Sequence, residues 1–273
     1  MKEIPVLMYH GIIDKLQSEI HPGGNFYSLT ASDFRYHLDL IKSFGFNTIT
    51  FNELSGSENL PPDPLIITFD DGERNNIEVA IPILQEFGFR AVFFVSTDSI
   101  NSEGYLTEED IALMSQADME IGSHGKTHQF LSDLDIPELN RELSESKSFI
   151  EDITDIEVSI LSLPGGRGND IILETASSAG YKYVANSKPG YTKSGYYPLS
   201  VRRWAISKKT TREDLVKILI KDEFYTRRCL MKYRYKQYIK LLISDKLYHR
   251  IWILIRTLRG KYNSFLHQPH LGK

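Results

Sequence analysis

The chain has a single cysteine, Cys229, so no disulfide can form within it and a cysteine metal cluster is excluded. That scarcity suits a reducing compartment. Nowhere does an apolar run approach the ~20 residues needed to span a bilayer. The opening segment "MKEIPVLMYHGI" has a short apolar stretch broken by His10, without the longer apolar core of a signal peptide. The expectation is a cytoplasmic protein, with room for a peripheral place at the inner membrane face. Internal repeats and low-complexity tracts are also lacking. What is present is ordinary for a globular chain with a sizeable core: 273 residues, 41% hydrophobic and 25% charged.

Acidic residues are scarce in one region only. Residues 1–225 carry 20 Lys/Arg against 35 Asp/Glu, a balance of −15, whereas residues 226–273 carry 12 against 1, a balance of +11. Opposite charge in two regions implies different roles for them.

The first region alternates apolar runs with amphipathic stretches. "IPVLMYH", "LIITFDD", "AVFFVST" and "MEIGSH" read as buried strands, and "YKYVAN" as a weaker one. Between them, residues 31–44, 76–87, 108–117, 136–150 and 170–179 read as helices, three of them closed by Gly45, Gly88 and Gly180. Strand and helix in alternation predict a parallel α/β sheet or barrel. "SKPGYTKSGYYP" at 187–198 reads as a surface loop.

Catalytic groups in such folds gather where strands end at their C-termini. Asp70-Asp71-Gly72, closing "LIITFDDG", is chemically a good turn, yet it also places two carboxylates at a strand mouth. His124 and His128 stand four residues apart in "SHGKTH", again after a strand, and His10 follows the first strand in the same manner. Two imidazoles and one carboxylate form a divalent-metal set with open positions, and zinc is the expected ion. Bound water on zinc drops from a pKa of about 15.7 to about 7, which produces a nucleophile at neutral pH. The second carboxylate is then available to take that water's proton.

"TFDDG", "SHGKTH" and "LPGG" resemble the first three motifs of the polysaccharide deacetylase (NodB-homology) family, the family-four carbohydrate esterases. The resemblance runs in order over roughly residues 4–206 and includes "FRYHLDLIKSFGFNTIT" and "SAGYKYVANSKPG". It implies a distorted (β/α) barrel and metal-dependent removal of N- or O-acetyl groups from a glycan. It also implies Asp70 as general base, and Asp71, His124 and His128 as metal ligands. Gly165, in "LSLPGGRGN", would supply the backbone N–H that holds the oxyanion.

Two features depart from the family pattern. The arginine usual before the third motif is replaced by Leu161-Ser162, and no late Leu-x-His appears to supply a general acid. "LMYHGI" resembles the poly-N-acetylglucosamine deacetylase branch, in which the acid histidine comes from the first strand. His10 is thus a candidate acid, with a core histidine bonded to backbone as the other reading. Arg202 or Arg203, in "LSVRRWAI", is a candidate replacement for the arginine, although a solvated charge is the plainer expectation. These departures leave open a pseudo-deacetylase that binds glycan without turnover, and a hydrolase of another C–N bond.

The expected organisation is a deacetylase-like domain over 1–225, a basic amphipathic helical extension over 226–262 and a flexible tail over 263–273. Tyr235, Ile239, Leu242, Leu247, Ile251, Leu254 and Leu258 fall at helical spacing among basic residues. That stripe suits an anionic membrane surface or a membrane protein, with Trp252 at the interface, more than it suits nucleic acid.

Overall fold

A computed structural model of the chain describes residues 2–14, 26–56, 60–193 and 200–243. Within it, the five apolar runs become strands β1 (Glu3–Tyr9), β5 (Pro64–Phe69), β6 (Val92–Val95), β7 (Glu120–Ser123) and β9 (Tyr183–Ala185). Shorter strands complete the set: β2 (Ile12–Ile13), β3 (Leu29–Thr30), β4 (Asn47–Thr48), β8 (Ile160–Ser162), β10 (Tyr191–Lys193), β11 (Ser200–Val201) and β12 (Trp204–Ala205).

The main sheet runs β10-β1-β5-β6-β7-β8-β9-β11, and β12 pairs with β1. Except at β10, which is antiparallel to Glu3–Pro5, the pairings of this sheet are parallel. The chain between β11 and β12 crosses from the β9 side to the β1 side, and so nearly closes the sheet into a barrel. The α/β barrel expectation is met. The surface loop expected over 187–198 is not met in full, because Tyr191–Lys193 forms β10. The free edge of β1 offers these residues a hydrogen-bonding partner that local composition does not reveal.

Alternate residues of the strands fill the interior: Ile4 and Val6, Ile66, Val92 and Phe94, Ile160, Tyr183 and Ala185 share one buried cluster. Gly122 on β7 leaves the space that the Phe94 ring needs, since a Cβ there would sit 2.6 Å from it.

The helices lie where the amphipathic stretches predict: α1 (Ala31–Ser43), α3 (Ile81–Phe87), α4 (Glu108–Gln116), α5 (Ile136–Thr154) and α6 (Asp170–Ser178). Capping boxes start α4 at Thr107/Asp110 and α5 at Asp135/Glu138, each satisfying two otherwise orphaned backbone donors. The stretch 76–87 opens with a π turn over Asn76–Ala80, two residues before Pro82, which has no N–H to donate. Three further α-helices are α2 (Phe51–Gly56), α7 (Arg212–Leu219) and α8 (Glu223–Ile243).

One compact unit comprises Met1–Thr226, and the chain from Arg227 onward belongs to a second. Of the expected extension, residues up to Ile243 are helical in α8; residues 244–262 and the tail over 263–273 lie outside the described residues. No helix among the described residues is long and apolar enough to cross a membrane.

Candidate active site

The C-terminal ends of β1, β5, β7 and β8 bring His10, Asp70-Asp71, His124 and Ser162 to one end of the barrel. Backbone bonds lock these ends in register. The Asp70 N–H donates to the Tyr9 carbonyl at 3.0 Å, and that of His124 to Val95 at 2.8 Å.

Asp71, His124 and His128 converge. Asp71 Oδ1 lies 3.2 Å from His128 Nε2 and 3.4 Å from His124 Nε2, and one ligand atom from each residue falls within 4.8 Å of the others. His124 Nδ1 is 2.9 Å from the Ser162 carbonyl, to which it can only donate. That bond fixes the tautomer and turns the Nε2 lone pair toward Asp71, the arrangement common among metal-bound histidines. His124 is buried whereas the His128 side chain is 47% exposed, so the cluster opens from the core to solvent.

Asp71 and His128 both hold left-handed backbone, φ +76° and +60°. Non-glycine residues seldom adopt this conformation, and such positions concentrate at functional sites. "DDG" is therefore a turn and a convergence point at once: the left-handed Asp71 swings its carboxylate back across the strand mouth. After Ser123 ends β7, "HGKTH" is a loop, not a helix.

Burial alone would push the Asp71 carboxyl up. The bonds to His124 and His128, with the charge of His10, outweigh burial and hold it well below the usual carboxylate range. Burial likewise opposes charge on His124, but Asp71 and Asp70 overcome it and raise its pKa. The site thus draws positive charge, and its N,N,O donor set fits a divalent ion such as zinc.

Asp70 is engaged differently. Arg203 forms a two-pronged pair with it, Nη1 to Oδ1 at 2.6 Å and Nη2 to Oδ2 at 2.8 Å, and the Ser162 hydroxyl donates to Oδ2 at 3.3 Å. Arg203 also donates to Ser162 Oγ at 2.8 Å, Thr68 Oγ1 at 3.3 Å and the Asn186 carbonyl at 3.1 Å. Its side chain is 0% exposed and lies over the Phe94 ring. The expectation of a solvated Arg203 is overturned; Arg202, its neighbour, is exposed. The reason is topological. Arg203 stands in the β11–β12 crossing that closes the barrel, so alternation sends one arginine outward and the next to the axis. Burial would raise the Asp70 carboxyl, but the guanidinium prevails and holds it below its ordinary value.

A guanidinium thus reaches Asp70 from the segment between β11 and β12, and Ser162, at the position where the sequence departs from the family pattern, is its hydrogen-bonding partner. Sequence reasoning named Ser162 only as part of the departure from the family pattern and gave it no role in the site. A three-residue strand carries too little pattern to place its side chains.

His10 stacks on Tyr27, with ring centroids 4.6 Å apart at 19°, and its Nδ1 is buried without a hydrogen-bond partner among the described residues. Burial lowers its pKa, while Asp71 and Asp70 pull the other way and Arg203 and His124 add to the lowering. The imidazole is therefore within electrostatic reach of Asp70, Asp71, His124 and Arg203. The backbone of His10 is held by Asn76, whose Nδ2 donates to its carbonyl at 3.0 Å. Gly165 lies three residues past Ser162, exposed, at φ +64°. A Cβ there would meet the Phe130 ring at 2.5 Å, so both conformation and space require glycine.

Perturbed acidity alone does not mark function here. Glu120, pushed up to about 7 by burial, accepts the N–H groups of Phe51 at 2.7 Å and Asn52 at 3.2 Å, at the start of α2. It ties β7 to α2 from the other end of the strand and stands apart from the cluster.

Comparison with known proteins agrees with this architecture. The family profile "Polysaccharide deacetylase" matches residues 57–184. The Bacillus subtilis protein YxkH, named for the same family, is 30% identical over 192 residues, 69% of this chain and 66% of its own length. A peptidoglycan-N-acetylglucosamine deacetylase of Bacillus cereus is 28% identical over 121 residues, covering 44% of this chain and 54% of that protein. The crystal structure of a polysaccharide deacetylase from Bacillus cereus superposes with a TM-score of 0.71 at 26% identity, covering 80% of this chain and 69% of that one. This chain belongs to the polysaccharide deacetylase (NodB-homology) family. It spans about two thirds of the length of the Bacillus subtilis relative and about half that of the Bacillus cereus one.

Proposed function

We propose that the chain hydrolyses acetyl groups on a glycan, chiefly N-acetyl groups, using a divalent ion held by Asp71, His124 and His128. The observation that carries this reading is the convergence of those three ligand atoms beside a buried, arginine-clamped Asp70. A zinc ion bound there would supply Lewis acidity, making water a nucleophile near neutral pH and polarising the acetyl carbonyl.

The remaining work falls to the chain. Asp70, ionised under Arg203, accepts the proton of the attacking water, and its clamp keeps the carboxylate aimed during transfer. The Gly165 N–H donates to the developing oxyanion, and such preorganised donors are each worth on the order of 10²–10³ in rate. His10 donates the proton that the departing amine requires. The test is acetate release from N-acetylglucosamine oligomers with and without chelator, and an unchanged rate in chelator would defeat the reading.

Replacing His10 by alanine is expected to leave metal content and folding intact while lowering turnover by about 10²–10⁴, the usual worth of a positioned acid. Wild-type turnover would return His10 to the role of a packed core residue.

We place the protein in the cytoplasm, with the basic extension over 226–262 against an anionic membrane, where the substrate class would be lipid-linked glycan. α8 supports this with exposed Met231, Tyr235 and Tyr238 at spacings of four and three, alongside Lys232, Arg234 and Lys236. A chain ending at Thr226 should keep turnover of soluble substrate and lose binding to phosphatidylglycerol vesicles. Equal vesicle binding by both forms would rule the docking out.

A further inference from the structure

We propose that Glu142 is a positioning residue for the metal site, holding the Gly125–Thr127 turn so that His128 reaches the point defined by Asp71 and His124. This rests on the metal reading above.

The two histidines differ in what holds them. The His124 main chain is bonded to β6 through Val95, and its ring is bonded to Ser162. His128 has neither support: it is half exposed, at φ +60°, beyond a turn that leaves the sheet. Its placement depends on the turn before it.

That turn is held from three directions. The Gly125 N–H donates to the Ser123 hydroxyl at 3.0 Å, and the Gly125 and Lys126 carbonyls accept from the Thr97 and Asp98 N–H groups at 3.3 and 2.9 Å. The donors nearest His128 go to Glu142. Its Oε1 accepts the Lys126 N–H at 2.8 Å, the Thr127 N–H at 2.6 Å and the Thr127 hydroxyl at 3.0 Å. The same hydroxyl in turn accepts the Gln129 N–H at 3.4 Å. One carboxylate therefore brackets His128, directly on its N-terminal side and through Thr127 on its C-terminal side.

The support beneath Glu142 is rigid. It lies within α5, only 6% exposed, next to the buried Leu139, Leu143 and Ser146. Gly125 permits the approach: its φ is +76°, and a Cβ would lie 3.0 Å from Glu142 Oε1. Bonds to an ionised acceptor are roughly twice as strong as neutral ones. A carboxylate here holds the turn in a way a neutral acceptor cannot fully match.

The experiment is zinc affinity of the metal-stripped full chain, measured by competition with a chromophoric chelator, with thermal melting of each metal-free variant. Glu142→Ala is expected to weaken zinc binding by about 10–100-fold, the usual cost of losing an outer-shell partner. Glu142→Gln keeps an acceptor in place and should recover most of that loss. Thr127→Val, which removes one bond and is suited to the case where Glu142→Ala does not fold, should lose less in the same direction. In a His128→Ala background, Glu142→Ala should change affinity by less than about twofold, because coupled residues do not add.

Wild-type zinc affinity in Glu142→Ala, with or without a lower melting temperature, would overturn the proposal. So would an equal loss in the presence and absence of His128. A wild-type chain that binds no zinc would instead defeat the metal reading itself, and this inference with it.

Discussion

Asp71→Ala is expected to weaken zinc binding so far that little metal is retained, and to lose acetate release, whereas Asp70→Asn should keep the metal and lose most of the turnover. The two carboxylates are adjacent in sequence and alike in chemistry, so the contrast isolates what the fold does to them. Asp71 meets two imidazole nitrogens at 3.2 and 3.4 Å, and removing it leaves only His124 and His128 to hold an ion. Asp70 faces the guanidinium of Arg203 and the Ser162 hydroxyl. Asparagine fills the same volume there but cannot accept a proton, and the expected loss is about 10²–10⁴ in rate. Metal content by elemental analysis and acetate release together decide the matter. Full zinc occupancy in Asp71→Ala would sink the ligand assignment, and wild-type turnover in Asp70→Asn would sink the base.

Arg203→Met should be the most damaging change to folding within the site. It removes the cation from a fully buried pair and strands Asp70 in the barrel, along with Thr68 Oγ1, Ser162 Oγ and the Asn186 carbonyl as partners. Breaking a buried pair from one side costs about 3–5 kcal/mol, because a charge is left without compensation. Denaturant unfolding should report a loss of that order, and activity should fall as Asp70 either takes up a proton or turns away. Arg203→Lys should sit between, since an ammonium cannot bond both carboxylate oxygens in the planar, two-pronged manner of a guanidinium. The double variant Arg203→Met, Asp70→Leu separates the two effects: it should regain much of the stability and none of the turnover. A single Arg203→Met variant as stable and active as the wild type would show that the clamp is dispensable.

Much of this fold was legible from the sequence. Five apolar runs and five amphipathic stretches became the strands and helices they predicted, because burial on both faces of a parallel strand leaves a continuous apolar run and packing on one face of a helix leaves a period of 3.6. The acidic pair and the spaced histidines could also be read, since each closes such a run. The short strands could not. Ile160–Ser162, Ser200–Val201 and Trp204–Ala205 hold two or three residues each, fewer than any periodicity needs, and exist because the neighbouring strand offers its free edge.

That difference governs the site as well. Sequence alone determined which residue types stand at the mouths of the long strands: the imidazoles of His10 and His124, and the carboxylates of Asp70 and Asp71. Only the tertiary structure decided their partners. Arg202 and Arg203 are indistinguishable in "SVRRWA", yet one faces solvent and the other lies at the barrel axis against Asp70. Glu142, within an amphipathic helix otherwise unremarkable in sequence, becomes an acceptor for the turn between two histidines. The physical reason is range. Burial patterns are written locally by the period of the element, whereas ion pairs and hydrogen bonds across a barrel depend on closure, which brings together residues far apart in the chain.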